Sequence, residues 1–227
     1  MPKSTAVVEG KSRIQHQNRA LILDAALAIF SAFGYRGTTV DQIAAKAGLS
    51  KPNLLYYFRR KEDIYVAVME QTLDEWLNPL RKLDAAGDPV VELTRYISEK
   101  IDSSFAHPQA SRLFANEILH GAPHIQKFLK GPLRALVDEK ATVIRQWMAD
   151  GKIKPVDAPH FIFAIWAVTQ HYADFSVQVA AVLGEEPKKE RVKQAVVEIL
   201  LRGLRAGGDV FEEKWSSAAD EKAFRAL

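Results

Sequence analysis

Residues Thr38–Phe58 read TTVDQIAAKAGLSKPNLLYYF, and they carry the local signals of two short helices joined by a tight turn. Thr39 opens a capping box, the side-chain arrangement that starts a helix. Gly48 supplies the residue that most easily adopts the left-handed conformation at a helix end. Ser50 is a second N-cap, and Pro52 suits the first turn of the helix that follows. The stretch therefore predicts a helix-turn-helix.

The second helix of this motif has one apolar side and one polar side. Leu54 and Phe58 fall on the inward side, whereas the outward side has hydrogen-bond donors and phenols but no acidic residue. That composition favours a helix that enters a DNA major groove, although a helical hairpin inside a larger all-α core has the same periodicity. On the DNA-binding interpretation, the residues expected to contact DNA are Thr38, Thr39, Ser50, Lys51, Pro52, Asn53, Tyr56, Tyr57 and Lys61.

The charge of the 227-residue chain is distributed unevenly, although its net value is only +3. Residues 1–61 contain ten Lys and Arg residues against three Asp and Glu residues, whereas residues 62–227 contain 21 against 25. A basic end on an acidic body indicates that this end meets a polyanion, although a solvated basic tail gives the same balance.

The composition of the chain also indicates the cellular compartment in which the protein functions. The absence of cysteine excludes a disulfide framework and a cysteine-based metal site. The N-terminal residues lack the apolar region of a signal peptide, and the most apolar run is too short to span a bilayer. We therefore expect a cytoplasmic protein with no membrane partner.

Helical periodicity dominates the rest of the chain, and no segment alternates with a period of two. The predicted fold class is all-α, with an N-terminal three-helix helix-turn-helix domain and a larger C-terminal helical domain. The predicted boundaries are a basic flexible arm at residues 1–15, the DNA-binding domain at 16–62, the helical body at 63–206 and a polar tail at 207–227.

The motif TTVDQIAAKAGLSKPNLLYYF, together with KEDIYVAV at residues 61–68, resembles the TetR family of one-component bacterial regulators. The resemblance implies a homodimeric transcriptional repressor that binds operator DNA and a small-molecule effector, and that is associated with the nucleoid when bound to DNA. The chain departs from the family at Arg60, where Ser or Thr commonly caps the next helix. We therefore expect the helix that starts at Lys61 to lack a side-chain cap.

Two long apolar helices are predicted near the end of the chain, at Ala158–Leu183 and Lys188–Ala206. The first has more apolar positions than one buried face requires. Some of them form a heptad-like seam made of Phe161, Ile165, Val168, Tyr172 and Phe175. The TetR resemblance implies that these two helices pair with their copies in a homodimer. The alternative is that both faces belong to the core of one chain.

Three residues indicate a site for a flat neutral heterocycle. Trp166 and Gln170 lie one turn apart on a second face of the Ala158–Leu183 helix, and Trp76 supplies another indole. Indoles stack on flat rings, while an amide offers one donor and one acceptor to an edge such as that of uracil. The alternative is that both tryptophans are core residues and that the amide bonds to backbone.

A second resemblance bears on this site. The runs QASRLF at residues 109–114, GAP at 121–123 and IWAVTQHYADF at 165–175 are similar to one TetR branch, the pyrimidine-utilisation regulators, which respond to uracil and thymine. The side chains that this resemblance implies for effector binding are Trp76, Trp166, Gln170 and, as a partner for a carbonyl group, Arg112. A TetR repressor that responds to another flat hydrophobic compound is the alternative.

One pair of residues has a spacing that is also found in metal-dependent enzymes. Glu117 and His120 form a Glu-x-x-His pair, the spacing used by di-iron helical bundles, but the sequence has no second pair to complete such a site. Gly-rich phosphate loops, nucleophile elbows and HExxH motifs are also absent. We therefore expect no catalytic site, no metal and no cofactor, with a helical metal-dependent enzyme as the alternative from a different class.

Overall fold

A computed structural model describes residues 5–204, with side chains from Ile14 onward. Every regular element in this range is helical, as expected for an all-α protein, and the predicted polar tail at 207–227 lies outside it. The elements are α1 Thr5–Gly37, α2 Val40–Lys46, α3 Lys51–Tyr57, α4 Lys61–Arg81, α5 Pro89–Ala106, α6 Pro108–Leu119, α7 Gln126–Phe128, a π-helical turn at Leu129–Leu133, α8 Arg134–Ala149, α9 Ala158–Asp174, α10 Ser176–Leu183 and α11 Lys189–Leu201.

Helices α1, α2 and α3 form the predicted N-terminal unit around a small apolar core. Ile22, Ala26 and Phe30 of α1 are buried with Ile43 of α2 and Leu54 of α3. The part of α1 from residue 14 to 37 is long and apolar enough to cross a membrane by length and composition. In this fold its inward side chains instead fill the core of the unit, where burial of apolar surface stabilises the three helices together.

Helix α1 begins at Thr5, inside the range 1–15 that the sequence analysis predicts to be a basic flexible arm. Once the amphipathic part of a helix has formed, each added residue gains a hydrogen bond without a new nucleation step. No proline between residues 5 and 15 stops this propagation. Towards its other end α1 breaks at Gly34, where φ is 70° and ψ is 174°.

The caps predicted for the helix-turn-helix are present. The Thr39 hydroxyl accepts a hydrogen bond from the backbone N–H of Gln42, whose side-chain carbonyl accepts one from the backbone N–H of Thr39. Ser50 accepts a bond from the backbone N–H of Asn53 at 3.4 Å. Gly48 has a φ of 68°, the left-handed conformation that a glycine adopts without steric strain. Local sequence therefore sets the turn between α2 and α3.

Helix α4 starts without a side chain at Arg60 that accepts a hydrogen bond from a backbone N–H, as expected. An acid at the third helical position replaces the missing cap. Asp63 accepts hydrogen bonds from the backbone N–H of Arg60 at 3.0 Å and from its guanidinium at 2.8 Å. The bond to Arg60 lowers the pKa of Asp63, and a carboxylate at this position also suits the helix dipole.

The body is a helical bundle in which α5 and α9 form a central pair. Helix α9 also contacts α6 and α8, and α5 also contacts α4 and α11. Helix α1 contacts both α4 and α6. The DNA-binding unit is therefore connected to the body through two helices, and a displacement of either helix acts on it directly.

The single helix predicted at Ala158–Leu183 is two helices, separated at Phe175, where φ is −114° and ψ is 30°. Ile165 of the predicted seam is buried inside the chain, and the half-buried members of the seam pack against the same core. Four of the five seam residues therefore face the body, whereas Phe175 is exposed. A 4–3 spacing indicates a buried face without specifying which partner covers it. The exposed apolar side chains of this region, termed the outer apolar set, are Phe163, Phe175, Val177, Val182, Leu183 and Ile199.

Candidate DNA interface and effector site

The outward side of α3 carries the predicted DNA-contacting side chains. Lys51, Pro52 and Asn53 are exposed, and Tyr56 is 70% exposed. Tyr57 is half-buried. Exposed donors on one side of a short helix, held by an apolar opposite side, can reach base edges and phosphates in a major groove.

Helix α1 supports the two phenols of α3. Asn18 donates a hydrogen bond from Nδ2 to the Tyr57 hydroxyl at 3.0 Å, and Gln15 donates from Nε2 to the Tyr56 hydroxyl at 3.3 Å. The two tyrosine rings also meet edge to face at 5.2 Å. These contacts orient Tyr56 while leaving most of its surface exposed.

The outward side of α3 has an acidic neighbour on α2, although α3 itself has no acidic residue. Lys51 pairs with Asp41 of α2 at 2.9 Å, and both side chains are more than half exposed. An exposed pair of this kind contributes only about 0–1 kcal/mol. A DNA phosphate can therefore replace Asp41 as the partner of Lys51 at little cost.

Two of the predicted DNA contacts serve the interior of the domain. The Thr38 side chain is 2% exposed and donates a hydrogen bond to the Gly34 carbonyl at 2.8 Å, so it does not lie on the exposed surface with the α3 side chains. Lys61 donates from Nζ to the carbonyls of Tyr35 and Thr38, at 2.7 and 2.9 Å, and lies over the Tyr35 ring. Two of the three donors of this ammonium are thus used to hold the start of α4 against the end of α1.

The predicted effector residues lie on three separate helices of the body, α4, α6 and α9. Trp76 of α4 is 4% exposed, and its indole meets the Phe114 ring of α6 edge to face at 5.7 Å. The Trp76 indole N–H is buried and has no hydrogen-bond partner. A buried donor without a partner carries a desolvation penalty of about 1–3 kcal/mol, which a ligand acceptor would remove.

Lys100 of α5 lies beside Trp76, and the sequence analysis did not single it out. It is 4% exposed, and its Nζ lies 5.2 Å from the centre of the Trp76 ring. Burial lowers its pKa to about 8, with Asp174 acting in the opposite direction. Among the described residues its ammonium makes no hydrogen bond or ion pair. The signal in the sequence is a lysine between Ile97 and Ile101, on the inward face of an amphipathic helix.

Trp166 and Gln170 are the two predicted effector residues on α9. The Trp166 indole N–H donates to the buried Tyr96 hydroxyl at 2.6 Å, which fixes the orientation of the indole. Burial raises the pKa of Tyr96, so this phenol stays neutral. Gln170 is half-buried, and its amide has no hydrogen-bond partner within residues 14–204. This amide is therefore available to a ligand.

Arg112 lies at a different place from the one expected. It is exposed, and its Nη1 donates to the Ala173 carbonyl at 3.4 Å, which ties α6 to α9. Beside it, the Ser111 hydroxyl donates a short hydrogen bond to Asp174, whose pKa is raised by burial. Of the two cations, Lys100 is therefore buried and Arg112 is exposed.

The Glu-x-x-His pair is not arranged as a metal site. Glu117 is bonded to Tyr65 and His124, while the His120 ring is bonded to the Asn116 carbonyl. The part of the chain with described side chains contains no cluster of three or more potential metal-ligating residues.

Comparison with known families agrees with this geometry. Residues 22–68 match the family model of the tetR bacterial regulatory proteins, and residues 69–207 match the C-terminal region of YcdC-like proteins. The chain belongs to the TetR family. It is therefore a DNA-binding transcriptional regulator and not an enzyme.

Individual TetR relatives match over nearly their whole length. The transcriptional regulator RutR of Escherichia coli K12 is 47% identical over 199 residues, which cover 86% of this chain and 94% of RutR. The transcriptional repressor NicS of Pseudomonas putida is 28% identical over 200 residues, covering 83% and 93%.

Solved structures of the family share the fold. KstR2, a ketosteroid transcriptional regulator of Mycobacterium tuberculosis, has a TM-score of 0.65 at 21% identity, with 83% of this chain and 95% of KstR2 covered. AibR, solved with isovaleryl coenzyme A and operator DNA, has a TM-score of 0.63 at 20% identity, with 80% and 97% covered.

Proposed function

We propose that this TetR-family regulator is a cytoplasmic, homodimeric repressor of pyrimidine-related genes, released from its operator by uracil or thymine. The observation that carries the proposal is the buried Trp76 indole N–H, which has no hydrogen-bond partner and lies beside the buried Lys100 ammonium. The 47% identity to RutR supports a pyrimidine effector, in line with the resemblance of the sequence to the pyrimidine-utilisation branch.

The donors of the site match the edges of a neutral pyrimidine base. Uracil and thymine each carry two ring carbonyls, and the Lys100 ammonium and the Trp76 indole N–H are suited to donate to them. Gln170 can accept from a ring N–H and donate to a carbonyl with the same amide. Trp166 and Phe114 offer aromatic surface to the ring.

The same donors argue against cytosine. Cytosine replaces one carbonyl with an amino group, so a cation or indole N–H would face another donor. A flipped amide at Gln170 could accommodate that change, but the Lys100 ammonium cannot become an acceptor. Lys100 therefore takes the discriminating role that the sequence analysis had given to Arg112.

The outer apolar set supports the homodimer. Five of these side chains lie on α9, α10 and α11, and Phe175 lies between α9 and α10. Ile199 and Val177 are among the most exposed apolar residues in the described chain. Exposed apolar side chains on neighbouring elements of a soluble protein are typical of an interaction site. A second copy is the proposed partner, since a two-fold operator requires two recognition helices about 34 Å apart.

Effector and operator would oppose each other through one coupling free energy, typically about 1–3 kcal/mol. In this mechanism the base favours a spacing of the two α3 helices that no longer matches successive major grooves. A TetR repressor for another flat hydrophobic compound remains the second candidate, since Trp76, Phe114 and Trp166 would accept any flat ring.

The test is operator release by nucleobases. Fluorescence anisotropy would follow a labelled duplex, selected by the protein from a random-sequence pool, during titration with uracil, thymine, cytosine and uridine. Release by uracil or thymine but not cytosine is the expected result. Release by none of the pyrimidines would reject the effector assignment and leave the TetR family membership intact.

A further inference from the structure

Residues 14–21 of α1, termed the leading segment, lie before the apolar core of the DNA-binding unit. Among the side chains that the structure describes, those of the leading segment are exposed or half-buried, and the first buried residue of α1 is Ile22. Even the apolar side chains of Ile14 and Leu21 are more than half exposed. Burial of apolar surface therefore contributes little in this segment, and its contacts with α3 have a different character.

Two amides of the leading segment are bonded to the two phenols of α3. Asn18 donates from Nδ2 to the Tyr57 hydroxyl at 3.0 Å, and Gln15 donates from Nε2 to the Tyr56 hydroxyl at 3.3 Å. Residues three positions apart lie on the same face of a helix. One face of the leading segment therefore reaches both phenols.

The same part of α1 also holds the residue that follows α3. The guanidinium carbon of Arg19 lies 4.7 Å from the centre of the Phe58 ring, and Phe58 is 5% exposed. A cation over the face of an aromatic ring is attracted by the negative charge of that face. The end of α3 is thus fixed against α1 at three successive side chains, two of which are phenols that face outward.

The direction of the two amide bonds decides what each phenol can offer to DNA. A phenol has one O–H donor and an oxygen that accepts. The amide N–H groups of α1 occupy the oxygens, and neither hydroxyl donates to another described residue. A hydroxyl that accepts one hydrogen bond also becomes a stronger donor in the next. The acceptors that DNA presents are phosphate oxygens and, in the major groove, purine N7, guanine O6 and thymine O4.

We propose that Gln15 and Asn18 are positioning residues for operator recognition: their amides hold the two phenols of α3 as hydrogen-bond donors to acceptors on DNA. The inference rests on the assignment of α3 to the DNA interface in the proposed function, and it requires no effector. The leading segment then acts on DNA through α3. Loss of either amide leaves its phenol free to rotate, which weakens DNA binding while the core of the unit stays intact.

A double-mutant cycle tests the stronger of the two pairs. Anisotropy would measure the Kd of a duplex selected by the wild-type protein from a random-sequence pool, without effector. Asn18→Leu and Tyr57→Phe should each weaken binding about three- to tenfold, the effect of one lost hydrogen bond. The double variant should bind within about twofold of Tyr57→Phe alone, because Asn18 acts only through that hydroxyl. Losses that multiply in the double variant would overturn the positioning role.

Reversing the direction of the bond gives a sharper readout. Asn18→Asp keeps the size of the side chain but cannot donate, so the Tyr57 hydroxyl must donate to the carboxylate and is lost to DNA. Gln17→Glu adds the same charge at an exposed neighbouring position and is the matched control. We expect Asn18→Asp to weaken binding at least about threefold more than Gln17→Glu in the wild type, and equally in a Tyr57→Phe background. An excess that persists without the hydroxyl would assign the effect to charge and reject the proposal.

Gln15 and Tyr56 give a second cycle at exposed positions. Gln15→Leu and Tyr56→Phe serve if thermal unfolding shows that the Asn18 variants do not fold, and the double variant should again match the phenol variant. Duplexes selected anew by each phenol variant would identify the acceptor, since loss of a base contact changes the selected sequence and loss of a phosphate contact does not. The amide variant should reproduce the selection of its phenol variant, and a different selection would contradict the proposal.

Asn53→Ala separates failure of this inference from failure of the α3 assignment. If Asn53→Ala weakens duplex binding while both phenol variants bind as the wild type does, α3 contacts DNA but its phenols do not, and the positioning role is wrong. If all three variants bind as the wild type does, the assignment of α3 fails together with the inference.

Discussion

The DNA-binding unit and the effector site treat buried polar groups in opposite ways. In the DNA-binding unit Thr38 donates to Gly34, and Lys61 donates to two backbone carbonyls. In the effector site the Trp76 indole N–H is buried without a partner, and Lys100 is buried against an aromatic ring. The first region is complete by itself, whereas the second becomes complete when a ligand supplies acceptors.

This difference indicates which polar groups of each region are bonded internally and which are left for a binding partner. The DNA-binding unit fixes its backbone with internal bonds and leaves Asn53 and Tyr56 exposed for a partner. The effector site instead retains unpaired donors in its interior, which lowers the stability of the free protein and provides binding free energy to a ligand that satisfies them. Removing an internal polar group should therefore lower the free energy of unfolding in the DNA-binding unit and raise it in the proposed effector site.

The largest expected effect on operator affinity concerns the outer apolar set, which in the proposed homodimer would hold two DNA-binding units together. Ile199→Asp should separate the dimer and weaken operator binding by about 100-fold or more, since two linked half-sites bind far more tightly than one. Light scattering should then give the mass of a single chain, 25.4 kDa. Val91→Asp, at an exposed position of α5, is the control that should stay dimeric.

Lys100→Met should give opposite changes in uracil affinity and in the stability of the free protein. Loss of a charged donor should weaken uracil binding about 10- to 100-fold, as measured by calorimetry. The free protein should become more stable by about 1–3 kcal/mol in chemical denaturation, because a buried charge is replaced by an apolar chain of similar length. A variant that loses stability would show that Lys100 has an internal partner after all.

Lys100 also predicts a dependence of stability on pH. Its pKa is about 8 in the folded chain, below the usual value of 10.5, so the unfolded state binds more protons between these values. The free energy of unfolding of the wild type should therefore rise with pH from about 8 to about 10.5. Lys100→Met should lack this rise, and an equal rise in both proteins would assign it to other groups.

Substitutions on the exposed side of α3 should change DNA binding without changing stability. Asn53→Ala should weaken operator binding by about 1–3 kcal/mol if its amide reads a base edge, and anisotropy with mutated duplexes would locate the base. Tyr56→Phe, which removes only the hydroxyl group, tests whether that hydroxyl contributes. Unchanged operator affinity in both variants would remove α3 from the interface.

The smallest effect on DNA affinity is expected at Lys61. Because its ammonium already binds two carbonyls, Lys61→Ala should reduce stability by about 1–2 kcal/mol and change the salt dependence of operator binding only slightly. A slope reduced by about one unit would instead indicate a direct phosphate contact, as the sequence alone suggested.

The accuracy of the sequence-based predictions follows the range of the interactions involved. The helix-turn-helix was predictable because Thr39, Gly48 and Ser50 act on residues within a few positions of themselves. The surroundings of Lys100 and Glu117 were not predictable, because they depend on which faces of separate helices meet. Ile165 illustrates the same limit, since its spacing indicates burial but does not distinguish a partner chain from the chain itself.

The most direct test of the central claim is a crystal structure of the protein with uracil. The account predicts one base per chain between Trp76 and Trp166, with a carbonyl oxygen within about 3.2 Å of Lys100 Nζ or of the Trp76 indole nitrogen. Gln170 should contact another edge of the same ring. A base bound elsewhere, or one that leaves both Lys100 and Trp76 without an acceptor, would contradict it.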